Sequence, residues 1–97
     1  MFATLKLRLG SAPVLRRPNA TRSFQLHIDW SVVGLGAVLA QKNAEGREYV
    51  VAFASRSNNN AKSNYSSYEG EALAAVWAIA HFRPYLYGQR FTLVTDH

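Results

Sequence analysis

The feature that most constrains the fold of this chain is a strict alternation of apolar and polar side chains in FQLHIDW, residues 24–30. The apolar positions are Phe24, Leu26, Ile28 and Trp30, and the polar positions are Gln25, His27 and Asp29. Successive side chains of a β-strand point to opposite faces of its sheet, so this two-residue period predicts a half-buried strand.

Two more strands are predicted directly after it. GLGAVLAQK (residues 34–42) is rich in small and β-branched residues, and REYVVAFASR (residues 47–56) follows. Asn43, Ala44, Glu45 and Gly46 supply hairpin-turn chemistry between them. Short connections of this kind predict an antiparallel meander of three strands.

A helix and a fourth strand complete the pattern. Ser66 and Glu69 have the spacing of a capping box, and the following EALAAVWAIAHF predicts a helix from about Ser67 to Phe82. Arg83-Pro84 marks its end or a kink, and RFTLVTD (residues 90–96) predicts the last strand. Because a strand reached through a helix pairs in parallel by a right-handed crossover, we expect an α/β fold. The elements follow the order β-β-β-α-β, and we expect a mixed sheet of strand order 3-2-1-4 with one main helix packed on one face.

The domain is expected to span residues 23–97, preceded by a linker over residues 1–22. Residues 4–17 alternate Leu with Lys and Arg, which is compatible with a short amphipathic helix or with a strand. The acid-free, Arg-containing N-terminus also leaves open a transit peptide.

Composition excludes several classes of function. The chain has no cysteine, which excludes disulfides, zinc fingers and cysteine nucleophiles, and an intracellular location is expected. No run approaches the ~20 apolar residues that span a bilayer, so no membrane partner is expected. The net charge of +5 fits an anionic polymer as partner, or solubility alone.

Three of the six acidic residues lie where a solvated charge is least expected. Asp29 and Asp96 end hydrophobic strands, and Glu71 begins a helix whose same side carries small residues. If the first and fourth strands are parallel neighbours, these carboxylates converge on one edge of the sheet. They would then raise each other's pKa unless a cation is present.

Oxygen ligands of this kind suit Mg²⁺ or Mn²⁺ better than zinc. Two such ions ~3.5–4 Å apart can promote phosphodiester cleavage. Each acid also has a structural interpretation that stays open at this point. Asp29 and Asp96 are compatible with turn residues, and Glu71 with a favourable charge at a helix N-terminus. Glu69 is already explained by the capping box, and His27 lies on the same strand face as Asp29.

The motifs resemble a known family. FQLHIDWSVVGLGAVLAQ, VAFASRS, NYSSYEGEALAAVWAIAHFRPYLYG and FTLVTDH occur in this order over residues 24–97. They are similar to the ribonuclease H domain of the reverse transcriptase polyprotein of gypsy-type long-terminal-repeat retrotransposons. Residues 4–20 also resemble the segment that joins the reverse transcriptase to that domain, which favours a linker over a transit peptide.

The resemblance implies roles for specific residues. Asp29, Glu71 and Asp96 match the metal-binding carboxylates of the family, which are also its catalytic residues. The implied activity is endonucleolytic hydrolysis of the RNA strand of RNA–DNA hybrids, leaving a 3′ hydroxyl, with two Mg²⁺ (or Mn²⁺) ions. The implied partners are the hybrid and the reverse transcriptase domain of a parent polyprotein.

Two departures from the family pattern shape the expectations. Trp30 stands where the family usually has Ala. The family's remaining strand, later helices and fourth metal carboxylate would follow His97, so the domain is expected to be truncated and poorly active alone. The alternative is a non-catalytic retrotransposon remnant that keeps the fold and weak nucleic-acid binding. A scaffold like the connection domains of retroviral polymerases is disfavoured, because such a scaffold needs no carboxylate set.

Overall fold

The computed structural model of the chain describes residues 14–31, 33–57 and 67–95. The strands are β1 (Phe24–Ser31), β2 (Gly34–Lys42), β3 (Glu48–Ser57) and β4 (Phe91–Val94), and the helices are α1 (Ser67–His81) and α2 (Arg83–Leu86). The predictions for residues 4–13, for Ser66 as N-cap and for Asp96 lie outside the described residues.

The four strands form one mixed sheet of order β3-β2-β1-β4. β1 pairs antiparallel with β2, and β2 pairs antiparallel with β3 through a register shift at Leu39 and Ala40. β4 pairs in parallel with β1, with Val94 opposite His27. The predicted sheet order and the parallel pairing are therefore confirmed.

The main helix ends where the sequence predicted a break, and a second, short helix follows it. α1 ends at His81, and the single turn of α2 begins at Arg83 with Pro84 beside it. Proline is tolerated there because the first N–H groups of a helix have no partner within it. Leu86 is buried, so the short helix also closes the core.

The hairpin between β2 and β3 depends on one asparagine and one glycine. The side-chain oxygen of Asn43 accepts hydrogen bonds from the backbone N–H groups of Glu45 at 2.9 Å and Arg47 at 3.0 Å. Gly46 has φ of +83°, a conformation that other residues rarely adopt. Both residues had marked this turn in the sequence.

The core lies between α1 and one face of the sheet. Leu26 and Ile28 of β1 face Ala74 and Ala78 of α1, and all four side chains are buried. Small residues at these helix positions allow the helix to approach closely, and α1 packs mainly over β1. No helix among the described residues is long and apolar enough to cross a membrane.

A buried glutamine joins the segment before β1 to the sheet. Gln41 of β2 is fully buried, and its side-chain N–H groups donate to the backbone oxygens of Asn19 at 2.8 Å and Arg22 at 3.0 Å. Its side-chain oxygen accepts from Asn19 N at 2.8 Å and from the Tyr49 hydroxyl at 2.9 Å. These bonds hold residues 19–22 against the start of β1.

Candidate functional site

Asp29 lies near the C-terminal end of β1, on the side of the strand opposite to Ile28. Its neighbour in β2 is Gly36, and only 4% of the residue is exposed. Acidic residues are rarely this deeply buried, because removing a carboxylate from water is unfavourable. The strand alternation that predicted the position did not by itself predict this burial.

Glu71 reaches the same end of the sheet from α1. It is the fifth residue of the helix and is 9% exposed, and its Oε1 accepts a hydrogen bond from the backbone N–H of Trp30 at 3.1 Å. Because Trp30 directly follows Asp29, this bond places the Glu71 carboxylate beside the backbone next to Asp29. The structure thus brings together two of the three predicted site residues.

Glu69 differs from Glu71 although only one residue separates them. The side chain of Glu69 is exposed in the first turn of α1, whereas Glu71 is buried against β1. Glu69 therefore lies in the first turn as predicted, and the role of Glu71 as a site residue stays a prediction. The third predicted ligand, Asp96, lies outside the described residues.

The donor set fits a hard divalent cation. Asp29 and Glu71 offer only carboxylate oxygens, which Mg²⁺ and Mn²⁺ prefer. Within residues 14–31, 33–57 and 67–95, no three His, Cys, Asp or Glu side chains form a group that could hold a metal ion. A complete ligand set therefore needs at least one group from outside these ranges.

The histidine closest in sequence to Asp29 interacts with a different residue. His27 Nε2 lies 2.9 Å from Glu48 Oε1, and the two side chains are 18% and 30% exposed. The bond crosses β2, since His27 belongs to β1 and Glu48 to β3. His27 thus links the outer strands of the meander.

Two contacts between Trp30 and α1, next to Asp29, were not predicted from the sequence. The ring of Trp30 lies directly against Gly70, and the backbone of Trp30 contacts Glu71. The available signal was Gly70 itself, because a glycine inside a helix is less favourable than alanine by about 1 kcal/mol and needs a packing reason.

Comparison with known proteins agrees with this fold. Residues 1–93 match the family described as an RNase H-like domain found in reverse transcriptase. Two solved structures of the foamy viral protease-reverse transcriptase, each in complex with double-stranded DNA, contain a region of the same fold, with TM-scores of 0.76 and 0.74. Sequence identity to them is 14% and 11%, over 94% and 99% of this chain and 18% of each of theirs.

Relatives at higher identity are retrotransposon polyproteins. The Pol polyproteins of transposons 412 and 297 of Drosophila melanogaster are 44% and 40% identical over 99% of this chain. The Tf2-3 polyprotein of Schizosaccharomyces pombe is 37% identical over 96%. The chain spans only 8%, 9% and 7% of the lengths of these three relatives. With a family match over nearly all its residues, the chain belongs to the RNase H-like domains of retrotransposon reverse transcriptase polyproteins.

Proposed function

We propose that this domain catalyses metal-dependent endonucleolytic hydrolysis of RNA in RNA–DNA hybrids, as part of a reverse transcriptase polyprotein. The observation that carries the proposal is the burial of Asp29 and Glu71 at one end of β1, with the Glu71 carboxylate bonded to the residue after Asp29. Burying two acids together is unfavourable for a fold unless a cation or a proton compensates them.

Asp29, Glu71 and Asp96 are the proposed metal ligands. The register of the parallel strands supports the third member, since Val94 pairs with His27 and both Asp29 and Asp96 follow that pair by two residues. Mg²⁺ or Mn²⁺ is the proposed cofactor, with two ions in the complete site.

In the proposed reaction, water attacks the phosphorus of an RNA phosphodiester and the bond to the 3′ oxygen breaks, giving a 3′ hydroxyl and a 5′ phosphate. Divalent ions would supply positive charge that activates the water and stabilises the leaving oxygen. The chain itself supplies rigid placement of the carboxylates. β1 lies between β2 and β4, and the backbone N–H of Trp30 fixes Glu71.

An RNA–DNA hybrid is the proposed substrate and partner. The net charge of +5 favours binding to a polyanion, which should weaken as the salt concentration rises. The foamy viral reverse transcriptases that contain a region of the same fold were solved with double-stranded DNA, which supports a nucleic-acid duplex as the ligand class.

A labelled hybrid tests the proposal. We expect Mg²⁺-dependent products with 3′ hydroxyl ends from a chimaera that joins this chain to the sequence following the matched region in the transposon 412 polyprotein. Asp29→Asn should abolish cleavage, and Glu69→Gln is the matched control that should retain it. Cleavage that persists in Asp29→Asn or in excess chelator would contradict the proposal. Salt-sensitive hybrid binding with no Asp29-dependent cleavage would favour the non-catalytic remnant.

A further inference from the structure

Trp30 and Gly70 make an unusually close contact between β1 and α1. A β-carbon added to Gly70 would overlap Cδ2 and Cε2 of the indole and would lie 2.6 Å from Cε3. These atoms belong to the fused part of the ring, which cannot turn aside as the end of a flexible side chain can. While Trp30 keeps this position, only glycine fits at position 70.

The same tryptophan contacts the next helix residue through its backbone. Its N–H group donates to Oε1 of Glu71 at 3.1 Å, so the ring and the backbone of Trp30 contact consecutive residues of α1. The indole Nε1 is buried and has no hydrogen-bond partner among the described residues. Among the described residues, the ring is therefore held by its packing against α1.

We propose that Trp30 and Gly70 form a positioning pair that sets how closely the first turns of α1 approach the end of β1. The approach in turn fixes the Glu71 carboxylate relative to Asp29. This inference rests on the proposed function, in which these two acids hold the metal. Trp30 acts through Glu71, because its side chain is turned to α1 and carries no metal-binding atom.

The first test requires no metal. Gly70→Ala should lower the melting temperature and shift the ¹⁵N–¹H resonance of the Trp30 amide, since the helix must move away from the ring. In a Trp30→Ala background the same substitution should no longer lower the melting temperature and should raise it slightly, because the space of the ring is then open and alanine is the better helix former. Substitutions at residues in contact are non-additive in this way. Equal effects of Gly70→Ala in both backgrounds would overturn the proposed positioning pair.

The second test measures Mn²⁺ affinity well below the melting temperature, where each variant is folded. Gly70→Ala should weaken binding about tenfold, as is typical when a residue that orients a metal ligand is disturbed. Trp77→Ala is the matched control, because Trp77 packs on the core from the same helix about two turns away. It should lower the melting temperature and leave the Mn²⁺ dissociation constant within about twofold.

The two tests separate the positioning role from the proposed function. Absence of Asp29-dependent Mn²⁺ binding in the unsubstituted chain would contradict the proposed function. Normal Mn²⁺ binding that is unchanged by Gly70→Ala, despite a lower melting temperature, would overturn only the positioning role and leave the pair as a packing contact.

Discussion

The two ends of β1 bury polar groups in different ways. At the N-terminal end, the neutral side chain of Gln41 is fully buried and makes four hydrogen bonds to nearby groups of the chain. At the C-terminal end, two acidic side chains are buried, with Asp29 4% and Glu71 9% exposed. Both sets of buried polar groups lie along β1, one at each end of the strand.

The difference supports the proposed assignment of the C-terminal end as the functional one. A glutamine amide has two donors and accepts two hydrogen bonds, and all four are used at Gln41, so this end stabilises the fold without any ligand. Carboxylates are instead costly to bury, and they repel each other where they lie close together. Side chains that oppose stability at one position are a common mark of a functional site.

The largest effect is expected at the glutamine end. Gln41→Met keeps the length of the side chain and removes its hydrogen bonds, leaving groups of Asn19, Arg22 and Tyr49 without their partner. Each buried polar group left this way costs about 1–3 kcal/mol, so we expect the free energy of unfolding to fall by about 3 kcal/mol. Urea denaturation measures it.

The exposed loop residue Gln89 provides the matched control for this substitution. Gln89→Met should change the free energy of unfolding by less than about 0.5 kcal/mol. A loss below about 1 kcal/mol for Gln41→Met would show that residues 19–22 are held by other contacts and that this end is not built around the glutamine.

A smaller effect is expected from metal at the carboxylate end. Mn²⁺ at ten times its dissociation constant should raise the free energy of unfolding by about 1.4 kcal/mol, because it binds the folded state only. Asp29→Asn should remove this increment without lowering the stability of the metal-free chain. Thermal unfolding with and without Mn²⁺ measures both quantities.

Gln41→Met, beside the other end of β1, is the control for this experiment. Gln41→Met should keep the Mn²⁺ increment, since Gln41 lies beside Phe24 at the start of β1 and not beside Asp29. An equal increment in Asp29→Asn would remove the proposed site. Loss of the increment in Gln41→Met would show that the two ends are coupled.

Much of the fold could be predicted because local patterns determine it. The alternation from Phe24 to Trp30 fixed the faces of β1, and the crossover rule placed β4 beside it in parallel. The same reasoning predicted that Asp29 and Glu71 lie at one end of the sheet, and the hydrogen bond from the Trp30 N–H to Glu71 agrees with it. Their role as metal ligands follows from the family resemblance and stays a prediction.

The contacts that hold each end could not be predicted in this way. The bonds of Gln41 join residues that are 19 and 22 positions apart, and residues 1–22 had been interpreted as a linker, which gave no indication of them. The contact of Trp30 with Gly70 likewise depends on the depth at which α1 packs. Periodicity gives the face of each element, whereas packing depth depends on the shapes of particular side chains from both elements.

The smallest effect on stability is expected for a pair of substitutions within the first turns of α1. Glu69→Gln and Glu71→Gln each remove one negative charge near the helix N-terminus, which should change the free energy of unfolding by only about 0.5 kcal/mol or less. The glutamine oxygen at position 71 can still accept the hydrogen bond from Trp30. The two variants should nevertheless differ in Mn²⁺ binding, because Glu69 is exposed, whereas Glu71 is buried and accepts a hydrogen bond from the backbone of the residue after Asp29. Glu71→Gln should lose most of the Mn²⁺ increment and Glu69→Gln should keep it.

The opposite result, in which Glu69→Gln is the variant that loses Mn²⁺ binding, would show that the ligand from α1 is assigned two positions too late. The buried Glu71 would then belong to the structural groups of the sheet, as Gln41 does.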